Sequence, residues 1–272
     1  MKIAVNALST TGQSGQVVLG GHMAAWLNHP DCEVALVIVC HADNRDAFAV
    51  FSEQAAYISP PSDCKGWLRR NLWARTTLLG LLQQAGVDVI LDGTGMALPR
   101  CTIPQVAYAM NPWALVPDVA KGAANQLKAA LQRRGYKAVI TSGAGLAGLS
   151  QYMIDAYTQN AGQPPILADV IYPGIDEDIL SFKVDSVERR PLQVVSVSAM
   201  APHKGVETLL KAIADLKHRH QTAVECRLIG GWPDTNYERA MRDLVEKLGI
   251  GSQVHFVGYV HRKEMFLELA QA

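Results

Sequence analysis

Short apolar, β-branched runs alternate with amphipathic helical stripes along almost the whole 272-residue chain, and this alternation is the signature of βαβ units in a mostly parallel sheet. Strands are predicted over 2–7, 33–40, 87–91, 105–109, 138–141 and 168–172, and helices over 16–27, 65–84, 120–134 and 145–160. The run 33–40 is almost continuously apolar, as suits a strand covered on both faces. The pattern lapses over 173–190, where Pro-Gly-Ile-Asp-Glu-Asp and then a polar stretch suit an interdomain connection. It resumes with a strand over 192–198 and the buried-face stripe Val206, Leu209, Leu210, Ile213. A strand at 227–229 precedes a second stripe, Tyr237, Ala240, Met241, Leu244, Val245 and Leu248, which Gly249 closes. A third strand at 254–257 leads to a last helix starting near Arg262. The expectation is an α/β protein with two Rossmann-like domains, 1–180 and 181–272. The second domain reads as incomplete, because its final helix stops at Ala272 without a capping residue and leaves a three-stranded half-sheet; a C-terminally truncated chain is expected.

Composition narrows the function classes. Lysine and arginine number 25 against 25 aspartates and glutamates, so no global field draws the chain to nucleic acid. The five cysteines lack CxxC spacing or a histidine partner, so neither a disulfide framework nor a metal site is expected. The longest clean apolar run, 34–40, is far short of the ~18 residues a membrane span needs, and polar Asn6 interrupts the amino terminus too early for a signal peptide. A cytoplasmic location is expected. Locally the charge is less even. No acid occurs between Asp63 and Asp88, where Lys65, Arg69, Arg70 and Arg75 accompany Trp67 and Trp73. A second acid-free stretch, 119–154, carries Lys121, Lys128, Arg133, Arg134 and Lys137. Two readings compete here: peripheral contact with an anionic membrane or lipid-linked acceptor, or two solvated helix faces with their tryptophans turned inward.

The most specific local pattern runs from Val194 to Leu210 and sets Pro202-His203-Lys204-Gly205 between a strand and the following helix. Ligands of open α/β sheets bind beyond the carboxyl ends of strands, and a helix N-terminus beside an ammonium suits a phosphate. Lys204 is the candidate to neutralise such a group, with His203 adjoining it; a solvated loop lysine is the competing reading. Gly12 and Gly15, between the first strand and first helix, bare the backbone to a phosphate or sugar, and Gly230 and Gly231 repeat the arrangement in the second domain. The glycine spacing is not GxGxxG, and no Walker lysine follows. His22 reads as a helix-face residue, and no Ser/His/Asp or Cys/His nucleophilic set is legible.

In its order of motifs the chain resembles the GT-B glycosyltransferases, specifically the large retaining family four that uses activated sugar donors. Pro202-His203-Lys204-Gly205-Val206-Glu207-Thr208-Leu209-Leu210 looks like that family's strand-loop-Lys-Gly-helix signature. The opening strand with Gly12 and Gly15, the segment Val170-Ile171-Tyr172-Pro173-Gly174-Ile175-Asp176 and the strand Val254-His255-Phe256-Val257-Gly258-Tyr259-Val260 resemble its other landmarks. The resemblance implies a nucleotide-diphosphate sugar as donor, with no cofactor and no required metal. It implies donor contacts at Gly12, Gly15, His203, Lys204, Gly205, Gly230 and Gly231, and a catalytic role for Lys204 against the departing diphosphate. A glycan or lipid-linked acceptor is implied, with Asn111 as the acceptor-binding candidate. Three features depart from the family. Ser198-Ala199-Met200 stands where an arginine-bearing triplet is common, Met110-Asn111-Pro112 replaces a His-Asp pair, and the Glu-x7-Glu segment would lie beyond Ala272. The alternatives are a non-catalytic truncated homologue keeping only the acceptor-binding domain, and a nicotinamide-dependent oxidoreductase, which the missing fingerprint disfavours.

Overall fold

The computed structural model describes residues 1–64, 66–116, 122–175, 182, 190 and 192–272. Its chain divides into two compact units, Met1–Gly174 and Ile175–Ala272. The predicted connection over 173–190 falls largely outside the described residues, as do Lys65 and Lys121.

Unit 1 is built on a seven-stranded sheet in which every pairing is parallel. Its strands are β1 (Lys2–Asn6), β2 (Ala35–Val39), β3 (Ala55–Ile58), β4 (Val89–Asp92), β5 (Gln105–Ala109), β6 (Gly145–Gly148) and β7 (Ala168–Val170), in the order β3-β2-β1-β4-β5-β6-β7. The chain moves outward from β1 to β3 and then returns to add β4 to β7 on the other side of β1. Right-handed crossovers therefore place the helices of the two halves on opposite faces. Helix α1 (Gln13–Asn28) packs Leu19 and Met23 onto Ile3, Val5, Leu36 and Ile38. On the other face, α2 (Gly66–Trp73) continues through a π-helical turn, Ala74–Leu78, into α3 (Leu79–Gln84), and Leu78 and Leu82 cover Ala4, Val37, Val39 and Ile90. The same face carries α4 (Ala123–Thr141) and α5 (Gln151–Ala161), which meet Ala107, Ala109 and Leu146 through Tyr136, Val139, Ile140, Met153 and Tyr157.

Two predicted elements are corrected here. The apolar run 138–141 is not a strand but the last turn of α4, because Val139 and Ile140 continue the stripe of Ala129 and Tyr136 into the core. The strand follows it, at Gly145–Gly148, where a helix was expected to begin. All four residues of that strand are buried, and a Cβ on Gly148 would lie 3.0 Å from Ile154 and 3.1 Å from the Ser150 carbonyl oxygen, so the sequence Gly-Leu-Ala-Gly is selected by close packing. Strand β3 was not anticipated. It is a short edge strand with no fully buried residue, so its hydrophobic signal is weak.

Unit 2 contains a parallel three-stranded sheet in the order β10-β9-β8, formed by β8 (Gln193–Val197), β9 (Glu225–Ile229) and β10 (Val254–Gly258). Helices α6 (Val206–His220) and α7 (Thr235–Lys247) bury Leu210, Ile213, Met241 and Val245 against Cys226 and Leu228. Asp234 caps α7, its carboxylate accepting from the Asn236 and Tyr237 amides at 2.9 and 3.2 Å. Arg227 points to the other face, as strand alternation requires. There Glu268 of α8 (Arg262–Gln271) accepts two guanidinium bonds, each 2.6 Å, and satisfies the charge.

The three strands end in backbone contacts that fix the adjoining loops. Ser198 donates to the Ile229 carbonyl (3.0 Å), Met200 to Gly231 (2.9 Å) and Gly230 to Gly258 (2.7 Å). Gly230 has φ 139°, and a Cβ there would sit 1.8 Å from the Ser198 carbonyl oxygen. Nothing lies within 4 Å of a Cβ on Gly231. Gly230→Ala is therefore expected to destabilise unit 2 by about 3 kcal/mol or more in urea unfolding, while Gly231→Ala stays within about 1 kcal/mol of wild type.

Candidate functional site

In unit 2 the loop after β8 turns through a 3-10 segment, Pro202–Lys204, before α6 begins. The Lys204 amide bonds the Ala201 carbonyl (2.9 Å) and the Gly205 amide bonds Pro202 (3.3 Å), so the backbone beneath the lysine is fixed. Gly205 is left-handed at φ 75°, a conformation that reverses the chain into the helix with little steric cost only for glycine. As the N-cap of α6 it brings no side chain to the first-turn amides, which have no intrahelical acceptors. His203 and Lys204 are both exposed. Among the described residues neither side chain has a hydrogen-bond or ion-pair partner. An unpaired ammonium thus stands beside an uncapped helix N-terminus, and both favour an anion.

The neighbouring strand ends shape this edge. The bare backbone expected at Gly230 is taken up within the fold: its amide donates to the Gly258 carbonyl and its missing Cβ makes room for Ser198. Gly231 is exposed and its carbonyl accepts from Met200, which ties the loop after β9 to the loop that carries Lys204.

In unit 1 the strand order reverses between β1 and β4, and the Gly12–Gly15 loop leaves β1 beside that reversal. Gly12 is the N-cap of α1 and makes no side-chain cap, with open space where a Cβ would be. A Cβ on Gly15 would lie 2.9 Å from Thr10 Cγ2, so that glycine serves the packing of the loop itself. Side chains hold the loop from several directions. Asn44 Nδ2 donates to the carbonyls of Ala7 (2.8 Å) and Thr10 (3.1 Å), and Arg70 Nη1 donates to Leu8 (2.9 Å). Asn111, beyond the end of β5, is exposed, and its Oδ1 accepts from the Trp113 amide at 2.9 Å. His22 is half-buried on α1 and bonds the Tyr108 hydroxyl at 2.8 Å, a core contact behind the loop.

Sequence reasoning missed the buried pair that joins the two strands at the reversal. Asn6 and Asp92 sit opposite each other in register, and Asn6 Nδ2 donates to Asp92 Oδ2 at 2.9 Å. Asn6 Oδ1 accepts from the Leu8 amide (3.3 Å), and Asp92 Oδ1 accepts from the Thr94 amide (2.8 Å) and hydroxyl. The available signal was two polar residues ending apolar runs, Asn6 after Ile3-Ala4-Val5 and Asp92 before Gly93-Thr94-Gly95. Their function is support: both are buried, and they lock the loops after β1 and β4 to one another. Among the described residues no three His, Cys, Asp or Glu side chains converge on a position that could hold a metal.

Comparison with solved structures identifies this architecture. Over 100% of its length the chain superposes on 72% of HepE from Anabaena in complex with UDP and glucose, with a TM-score of 0.65 and 16% identity. Over 99% of its length it superposes on 73% of WaaG, a glycosyltransferase involved in lipopolysaccharide biosynthesis, with a TM-score of 0.65 and 17% identity. The fold is GT-B. Residues 178–272 match the family of glycosyl transferases group 1, so the family signature covers the unit that carries Lys204. A glycosyltransferase from Rickettsia africae superposes over 99% of this chain and 70% of its own, with a TM-score of 0.63 and 13% identity. No curated protein matches the chain in sequence.

Burial raises the Asp92 carboxyl to about 6, against the pull of the Thr94 and Asn6 hydrogen bonds, which favour the ionised form. The folded state then holds this proton more tightly than the unfolded chain, whose aspartates titrate near 3.9. The sign follows: stability is greatest below pH 4 as far as this group is concerned and falls as pH rises through 6. Asp92→Asn should remove that loss. The difference in unfolding free energy between variant and wild type is expected to shift by about 2 kcal/mol in favour of the variant from pH 4 to pH 7, as urea titrations would show.

Proposed function

We propose that this chain is a glycosyltransferase that moves a hexose from a nucleotide-diphosphate sugar to a glycan or lipid-linked acceptor with retention of anomeric configuration. The observation that carries the reading is the unpaired Lys204 ammonium, held on a fixed turn at the uncapped N-terminus of α6 within the family-matched segment. A leaving diphosphate gains negative charge as the glycosidic bond breaks. A cation and oriented amides already aimed at that charge stabilise it without reorganisation. Lys204 is the residue that does this, with His203, Gly205 and Gly231 around the donor and Gly230 aligning the loops beneath them. Gly12 offers exposed backbone to a phosphate or sugar on unit 1, with Gly15 keeping that loop close-packed beside it, and Asn111 offers its amide to an acceptor hydroxyl. The donor requires no cofactor and no metal in this reading, because lysine and helix dipole supply the positive charge. The HepE structures with UDP and with UDP-glucose support a uridine nucleotide as the first donor to try.

Calorimetry with UDP and with uridine tests the assignment. Lys204→Ala should weaken UDP binding about tenfold or more, the range expected for a charge-assisted hydrogen bond, and leave uridine unchanged. In turnover with a donor sugar the same substitution should cost about a hundredfold or more. Equal UDP affinity in wild type and variant would overturn the role given to Lys204. The anomeric configuration of the first-formed product, read by NMR, decides retention.

A further inference from the structure

The loop between β1 and α1 is bonded on one side only. Every carbonyl from Ala7 to Gly12 accepts a hydrogen bond. Ala7 accepts from the Thr10 amide (2.9 Å) and Asn44 Nδ2 (2.8 Å), Leu8 from Arg70 Nη1 (2.9 Å), and Ser9 from the Thr11 amide (3.0 Å). Thr10 accepts from Asn44 Nδ2 (3.1 Å) and Gln16 Nε2 (3.3 Å), Thr11 from Gln16 Nε2 (3.5 Å), and Gly12 from the Gln16 amide (3.2 Å). The amides of Gly12, Gln13, Ser14 and Gly15, by contrast, have no partner among the described residues. Spent carbonyls and free amides together make a concentration of positive partial charge.

Asn44 is the side chain on which this arrangement turns. It ends the 3-10 segment Ala42–Asn44 after β2, where its backbone amide donates to the His41 carbonyl (3.1 Å) and the His41 ring accepts from the Asp43 amide (3.2 Å). From that fixed turn one NH2 group reaches both ends of the Ala7–Thr10 turn, and at 3% exposure its bonds are shielded from solvent. Its Oδ1 is buried with no partner among the described residues. A buried acceptor left unpaired costs free energy, so this amide is oriented for its two donors at the expense of stability. Thr10 has the same character. Its Cγ2 lies 2.9 Å from where a Cβ on Gly15 would be, which sets the side chain against the first turn of α1, and its buried hydroxyl has no partner either.

We propose that Asn44 is a positioning residue: by holding the Ala7 and Thr10 carbonyls it keeps the amides of residues 12–15 presented to a phosphate group of the donor. A trans peptide sets each N–H opposite the preceding carbonyl, so anchoring the carbonyls of Thr10, Thr11 and Gly12 fixes the direction of the amides that follow. Asn44 itself touches no ligand. The role rests on the reading of the Gly12 loop as facing a phosphate, and it is independent of Lys204.

Amide NMR of the full chain titrated with inorganic phosphate tests this, because each loop reports separately. In wild type the amides of residues 12–15 should shift, as should those of residues 205–207 beside Lys204. Asn44→Leu removes both donors without adding charge. It should weaken the response at residues 12–15 about tenfold, the scale of the bonds lost, and leave residues 205–207 as in wild type. Lys204→Ala should do the reverse. The resonances of β1, β2 and β4 show whether the variant is folded. If Asn44→Leu does not fold, Gln16→Ala decides, with about twofold weakening expected at residues 12–15 alone and no change overturning the proposal. Equal responses at residues 12–15 in wild type and folded Asn44→Leu would overturn the role of Asn44 and leave the reading of the Gly12 loop standing. No response there in wild type would overturn both, while residues 205–207 still report on Lys204.

Discussion

Parallel pairing is the constraint from which the rest of this structure follows. When every strand runs the same way, every carboxyl end lies on one edge of its sheet and each connection must cross back over a face. In both units the residues with chemical potential lie along that edge: Gly12, Gly15 and Asn111 in one, His203 to Gly205 and Gly231 in the other. The same geometry starts every crossover helix there, so that free amides, glycine turns and basic helix faces converge without any sequence motif joining them.

Buried polar pairs and close backbone contacts hold the strand-end loops of each unit in place. Asn6 and Asp92 clamp two loops at the point where the strand order of unit 1 reverses, and Gly230 lets Ser198 approach closely enough to align three loops in unit 2. Asp92 is kept there at an electrostatic cost, since its burial opposes ionisation. Lys204 has the opposite character, an exposed charge with no partner among the described residues on a backbone that is tightly bonded. A cation left unpaired on a fixed turn is available to an incoming anion, whereas one already bridged to a carboxylate would first have to give that partner up.

Much of the architecture was legible in the amino-acid order, and the misreadings have physical causes. The stripes of Val206 to Ile213 and Tyr237 to Leu248 became α6 and α7 because their 3.6-residue period was complete. Ala138 to Thr141 misled because a four-residue β-branched run has the same pattern in a strand and in the last buried turn of a helix. Gly145 to Gly148 misled in the reverse sense: a strand of small residues is chosen for what must fit beside it, and that neighbour is remote in sequence. At the site, Lys204 and Gly205 were visible from local spacing, while Asn6 and Asp92, 86 residues apart, could be paired only by the register of β1 with β4.

The sequence by itself determined the α/β class, the positions of most helices and strands, the glycine and lysine loops, and the two acid-free segments. These are properties of local periodicity and composition, which the chain carries before it folds. Tertiary structure decided which glycine stands against open space and which relieves a clash, since that depends on the atom across the gap. It also decided that two basic segments, separated by some thirty residues of chain, share one face with leucines turned outward, because the direction of each crossover is set by strand order and not by the crossover's own residues.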